Sequence, residues 1–176
     1  MASVKVQKSD LQAYLDLKDS IRFLNENYVL VGIPDDTTDR EDKGVTNAEL
    51  LFIHTNGSPV NNIPPRPVIE PALYDSKDVI EKMLDQASKK AIDGDKAGTI
   101  LILKKIGMKA QNICRGWFTN LNNNWPPNSP GTRAAKIRKF RRYNKTGTYD
   151  PRPLIDTGEL RKSITYVLSL RGRRSK

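Results

Sequence analysis

The segment Ile63-Pro64-Pro65-Arg66-Pro67 sets three prolines within four residues, and that fixes what the middle of this chain can be. Each proline ring locks φ and removes a backbone donor, so neither a helix nor a laddered strand can run through it. A rigid, extended connector is what remains. Arg66 rides on that connector and can make bidentate contacts with little side-chain freedom to lose. A turn, Asn56-Gly57-Ser58-Pro59, leads into it.

On the N-terminal side, Ser9 and Gln12 have the spacing of a capping box. Leu11, Tyr14, Leu15, Leu17, Ile21 and Leu24 then recur on one helical face, which predicts a helix over about 9–26. Residues 28–33 are short, β-branched and apolar, and Pro34 stops them: a strand. An acidic stretch follows, in which Asp35, Asp36, Asp39, Glu41 and Asp42 stand against two bases. Ala48 to Thr55, centred on Leu50, Leu51, Phe52 and Ile53, reads as a second strand. The two strands would form a long β-hairpin with an acidic tip.

On the C-terminal side, Asp75 or Ser76 can cap a helix through about Ala91, with Val79, Ile80, Met83, Leu84 and Ala87 as its inner stripe. Asp93-Gly94-Asp95 interrupts, and a second helical run covers about 96–121; one bent helix or two are both open. Residues 122–152 read as a long loop without apolar periodicity. Asp156 or Thr157 can cap a single turn through Leu160. Ile164, Tyr166, Leu168 and Leu170 then alternate with polar or smaller neighbours, a strand with one buried face. The sum is α+β: an antiparallel sheet of at least three strands packed with two or three α-helices, plus long extended loops. At 176 residues a single domain is expected.

Charge divides the chain. Residues 131–176 carry fourteen Lys and Arg against three acids, whereas residues 1–130 are near neutral with sixteen against seventeen. Within the basic loop 131–145, Arg133, Lys136, Arg138, Lys139, Arg141 and Arg142 lie close together with Phe140 and Tyr143 interleaved, and a basic tail covers 171–176. Such asymmetry points to a partner of opposite charge, either nucleic acid or an acidic protein surface. No recognition helix or RNA-binding sheet motif accompanies it, so any DNA contact would be independent of sequence. Asp35, Asp36, Asp39, Glu41 and Asp42 would be a solvated tip or the complement of the basic loop.

Catalytic inventory is thin. One His and one Cys exclude the usual zinc clusters and cannot supply an internal disulfide. Gly94 and Gly98 lack the Lys-Ser/Thr ending of a phosphate loop, and Asp93-Gly94-Asp95 lacks the other ligands of a calcium loop. Cys114, among apolar residues on a helix, reads as core, and His54 as the rim of a strand end. The expectation is a protein that is not an enzyme, with no cofactor or metal. No apolar run approaches the roughly 20 residues needed to span a bilayer, and the first residues lack a signal-peptide core.

The order of motifs resembles a family of tailed-bacteriophage neck and tail-completion proteins. Four runs carry the likeness: Val31-Gly-Ile-Pro34 with Asn47 to Pro59, Ile63-Pro-Pro-Arg-Pro67, Pro127-Asn-Ser-Pro-Gly-Thr132, and Pro153-Leu-Ile-Asp-Thr-Gly-Glu-Leu-Arg-Lys-Ser-Ile164. The departures are His54-Thr55-Asn56, where the family pattern has an acidic-aromatic pair, and the long acidic tip. The resemblance implies a structural protein of the virion, one virion-assembly domain over 1–176. It would be assembled in the host bacterial cytoplasm into a ring with itself, a hexamer, at the neck. There it would complete the tail or join it to the head connector or adaptor, touching tail proteins and making at most non-specific contact with packaged DNA, with no membrane involved. A tail terminator or other minor tail protein is the alternative, and a sequence-independent nucleic-acid-binding module the second.

Overall fold

The computed structural model describes residues 8–34, 44–143, 149, 151–170 and 173–175, with backbone alone at 8–9 and 173–175. Among these residues helix dominates, at 66%. In chain order the elements are α1 (Lys8–Glu26), β1 (Asn27–Gly32), α2 (Asn47–Asn56), α3 (Ile69–Asp75), α4 (Lys77–Ile92), α5 (Lys96–Trp117), α6 (Pro130–Tyr143), α7 (Glu159–Ser163), β2 (Thr165–Leu170) and β3 (Arg173–Ser175). Single 3-10 turns sit at Pro59–Asn61 and Leu121–Asn123.

The chain gathers into two compact units, each built from separated stretches. The first comprises residues 1–30, 76–110 and 166–176. Its core is Ala87, Leu103, Ile106 and Leu168, flanked by Val29, Ile80, Met83, Ile100, Ile102 and Leu170. Small residues let its backbones approach. Ser20 of α1 donates to the Ala91 carbonyl of α4 at 2.8 Å, and Thr99, fully buried, returns its hydroxyl to Asp95 O at 2.8 Å. Between α4 and α5, Gly94 takes φ 78° and Asp95 caps α5 by accepting the Gly98 N–H at 2.8 Å. The Asp93–Asp95 segment thus ends one helix and starts another, rather than bending a single one. On α1, Leu11, Tyr14, Leu15, Leu17 and Ile21 share the expected stripe yet remain between 45% and 60% exposed.

The second unit comprises residues 31–75 and 111–165. Leu51, Val68, Ala72, Cys114, Trp117, Phe118, Leu160 and Ile164 form its core. Trp125 packs edge-on to Phe118, with ring centroids 5.7 Å apart, and donates its indole N–H to Pro67 O at 3.0 Å. Asn47, buried at the start of α2, donates to the Ser163 hydroxyl at 2.7 Å. Arg115 ties down the C-terminal end of α7 through Lys162 O (2.7 Å) and Ile164 O (2.9 Å).

This architecture corrects the α+β expectation. An antiparallel sheet of three or more strands is not formed: strand order is β1-β2-β3, but among the described residues the antiparallel pairing is between two strands, β2 and β3, with Leu168 opposite Ser175 and Leu170 opposite Arg173. The expected hairpin is absent because its second arm, residues 48–55, is helix α2. The reason is local: Thr46 accepts the Glu49 N–H at 3.1 Å while the Glu49 carboxylate accepts the Thr46 N–H at 2.8 Å. That reciprocal capping box satisfies donors at the helix start and commits the apolar run to α. The long loop expected over 122–152 is also overturned in part, since 130–143 form α6. Pro130 opens that helix at a position where its missing N–H costs nothing, and the Ser129 hydroxyl accepts the Thr132 N–H at 3.3 Å.

Candidate functional site

The proline connector does what its sequence requires, running extended from Pro64 to Pro67. Gly57 makes its entry, at φ 75°, where an added Cβ would lie 2.9 Å from both Ile63 O and Pro65 N. Arg66 is thereby held inside the second unit, only 6% exposed. Its Nε and one terminal nitrogen, Nη2, both donate to Pro126 O, at 3.1 and 3.0 Å, and Nη2 also reaches Pro127 O at 3.1 Å. Prolines cannot donate, so these two carbonyls belong to a stretch with few other ways of being tied down. Arg66 therefore fixes the Pro126-Pro127 segment.

Around this clamp lies a cleft of about 660 Å³. Leu50 and His54 of α2, Ile63 and Pro64 of the connector, Asn128, Ser129 and Thr132 around the start of α6, and Leu154 with Asp156 to Leu160 line its walls. Three separate stretches of sequence, 50–66, 127–136 and 154–160, converge here. Most of the lining falls within the runs Asn47 to Pro59, Ile63 to Pro67, Pro127 to Thr132 and Pro153 to Ile164; Val31 to Pro34 does not reach the cleft, and Asn61, Asn62 and Lys136 lie outside the runs. Leu154 on one wall takes φ 56°, a left-handed conformation that costs a leucine roughly 1–2 kcal/mol.

Two cations, Arg66 and Lys136, and two acids, Asp156 and Glu159, line the cleft. Lys136 donates to Arg152 O at 2.7 Å and Ile155 O at 2.6 Å, bridging α6 to the 152–155 turn. Burial lowers its pKa first of all; Asp156 opposes this, while the charges of Arg66 and Lys139 add to it. His54 is held below the ordinary histidine value by burial and then by Arg66, and its Nδ1 is buried with no partner among the described residues. Burial also lowers the Arg66 guanidinium.

The sequence-nominated residues therefore separate. Arg66 and Lys136 meet in the cleft. Lys139 leaves for Asp156, 2.8 Å away. The side chains of Arg133, Arg138, Arg141 and Arg142 stand exposed on α6 without a hydrogen bond or ion pair among the described residues, the last three on the face away from Lys136. Phe140 stacks on Tyr149, centroids 4.7 Å apart, while Tyr143 is exposed. Asp35, Asp36, Asp39, Glu41 and Asp42 lie outside the described residues, as do Lys145 and, in the tail, residues 171, 172 and 176. Sequence reasoning set His54 aside and read Asp156 only as a candidate helix cap, whereas the cap of α7 is Gly158; a helical reading of 47–56 was the signal that would have turned His54 inward.

Cys114 is fully buried in the core, as its context suggested, and burial pushes its thiol up to about 11. Among the described residues no group of three His, Cys, Asp or Glu side chains is arranged to hold a metal, and no helix is long and apolar enough to cross a membrane. Comparison with protein-family models, with curated proteins and with solved structures finds no match to this chain.

Proposed function

We propose that this chain is a structural protein of a tailed-phage virion, forming a ring at the neck that completes the tail or joins it to the head connector. The observation that carries this reading is that parts of all four motif runs, Val31 to Pro34 excepted, meet at one cleft around Arg66. Short proline-rich matches taken singly are weak, but matches that assemble into one clamped site behave as a unit. The exposed stripe Leu11, Tyr14, Leu15, Leu17 and Ile21 on α1 adds support, since apolar surface gathered on one helix marks protein–protein contact.

Electron microscopy of a lysate from phage lacking this gene tests it. Full heads lying apart from tails, joined again when the protein is added, are the expected result. Tails of aberrant length would instead make it a terminator, and normal infectious particles would overturn the reading.

A second reading, a sequence-independent nucleic-acid-binding module, is favoured by the exposed Arg138, Arg141 and Arg142 of α6. It requires tight binding of duplex DNA by the isolated protein, weakening steeply with salt.

A further inference from the structure

We propose that the cleft of the second unit is a receptor for a carboxylate, an aspartate or glutamate side chain presented by an acidic segment of a partner protein. The starting point is a charge without a counter-charge. Arg66 is 6% exposed, yet its described partners are the carbonyls of Pro126 and Pro127, with no acid among them. Buried cations are ordinarily paired, because desolvation is costly unless an anion offsets it.

The guanidinium also keeps a free hand. Its Nη1 makes no hydrogen bond among the described residues and is not sealed from the surface. Lys136 spends two of its three donors on Arg152 O and Ile155 O and retains one. The hydroxyls of Ser129 and Thr132 share one 2.9 Å bond, which leaves one proton to give. All four side chains line one cleft, where Lys136 is drawn to Asp156 and, less strongly, repelled by Arg66. A carboxylate seated there would accept from both cations and relieve that repulsion, with charge-assisted bonds at full strength because the site is partly dry.

The chemistry favours a peptide over a nucleic-acid strand. Asp156 and Glu159 stand on the same wall, so a chain of phosphates would meet like charge within the cleft, whereas a lone carboxylate need not. Leu50, Ile63 and Leu160 supply apolar wall for the side chains beside it. Phosphates would be better served by the open arginine face of α6. Such a receptor stands or falls separately from membership of a virion.

The test is a titration of the full chain, followed in 1H–15N spectra, with a short capped peptide carrying glutamates between glycine and leucine. Its glutamine counterpart is the control. The glutamate peptide is expected to shift the Arg66 Nε–H and the amides of Asn128 and Thr157, and the glutamine peptide to bind at least about tenfold more weakly. Arg66 variants risk the fold, so Lys136→Met serves instead, with about a tenfold loss expected. Asn61→Trp, at the exposed rim, should block the cleft by bulk, while the triple change Arg138→Ser, Arg141→Ser and Arg142→Ser should leave affinity within about twofold. Equal binding of the two peptides, indifference to both cleft variants, or the same cleft shifts with duplex DNA would each overturn the proposal.

Discussion

Arg66 and Pro126, sixty residues apart in the chain, are joined by a forked pair of hydrogen bonds in which one carbonyl oxygen accepts from both Nε (3.1 Å) and Nη2 (3.0 Å). The fork is planar and directional, so a lysine cannot reproduce it. Arg66→Met is expected to destabilise the chain by about 2–3 kcal/mol in urea unfolding, with Arg66→Lys recovering less than half. Indifference to either change would mean that the Pro126-Pro127 segment is held by its neighbours instead.

The Thr46–Glu49 capping box decides whether residues 47–56 are helix. Removing one member strands a backbone donor. Thr46→Ala should cost about 1 kcal/mol, and Glu49→Ala a similar or smaller amount, with the double change less than additive because the two bonds are reciprocal. Thermal unfolding of the three variants measures this.

Two glycines mark backbone approaches that no other residue fits. At Gly57 the φ of 75° and the contacts to Ile63 O and Pro65 N coincide, and at Gly107 an added Cβ would run into the Tyr166 ring. Gly57→Ala is expected to lose about 2–3 kcal/mol, the left-handed conformation and the collision adding together. Gly107→Ala should be rescued in part by Tyr166→Ala, whereas Gly57→Ala has no single compensating change, since backbone atoms stand in its way.

Cys114 ties stability to alkaline pH. Burial raises its pKa from 9.0 to about 11, so the folded state holds the proton more tightly than the unfolded one. The contribution is complete below about pH 9 and is lost as pH rises toward 11. A stability profile of the parent chain should therefore fall more steeply across that window than that of Cys114→Ala. At neutral pH a thiol reagent should react at the rate of unfolding, not at the rate of a free thiol.

What the sequence made legible follows from periodicity. α1, α4 and β2 each carry a repeat of one kind, and their expected bounds fall within a residue or two of those found; β1 was legible instead as a β-branched apolar run stopped by Pro34. The run Leu50-Leu51-Phe52-Ile53 carries no period at all, and short apolar runs of that kind suit a strand or a buried helix equally. Thr46-x-x-Glu49 was the deciding signal, and it lay just outside the run. α6 stayed hidden for the opposite reason: with Ala134 and Ala135 exposed and cations on several faces, it has hardly any apolar stripe to read. Arg66 stood out on its proline scaffold, but its acceptors are carbonyls sixty residues away, which no local pattern announces. The cleft is a product of that long-range clamp, so its membership was beyond sequence reasoning even though each contributing run was noticed.

The interleaving of the two compact units has a consequence for synthesis. α5 places Leu103 and Ile106 in the first core and Cys114 and Trp117 in the second, while Ile164 and Leu168, four residues apart, each complete one of them. Neither core can be filled until the segment that carries β2 has been made. Translation therefore completes the two units together and not one after the other.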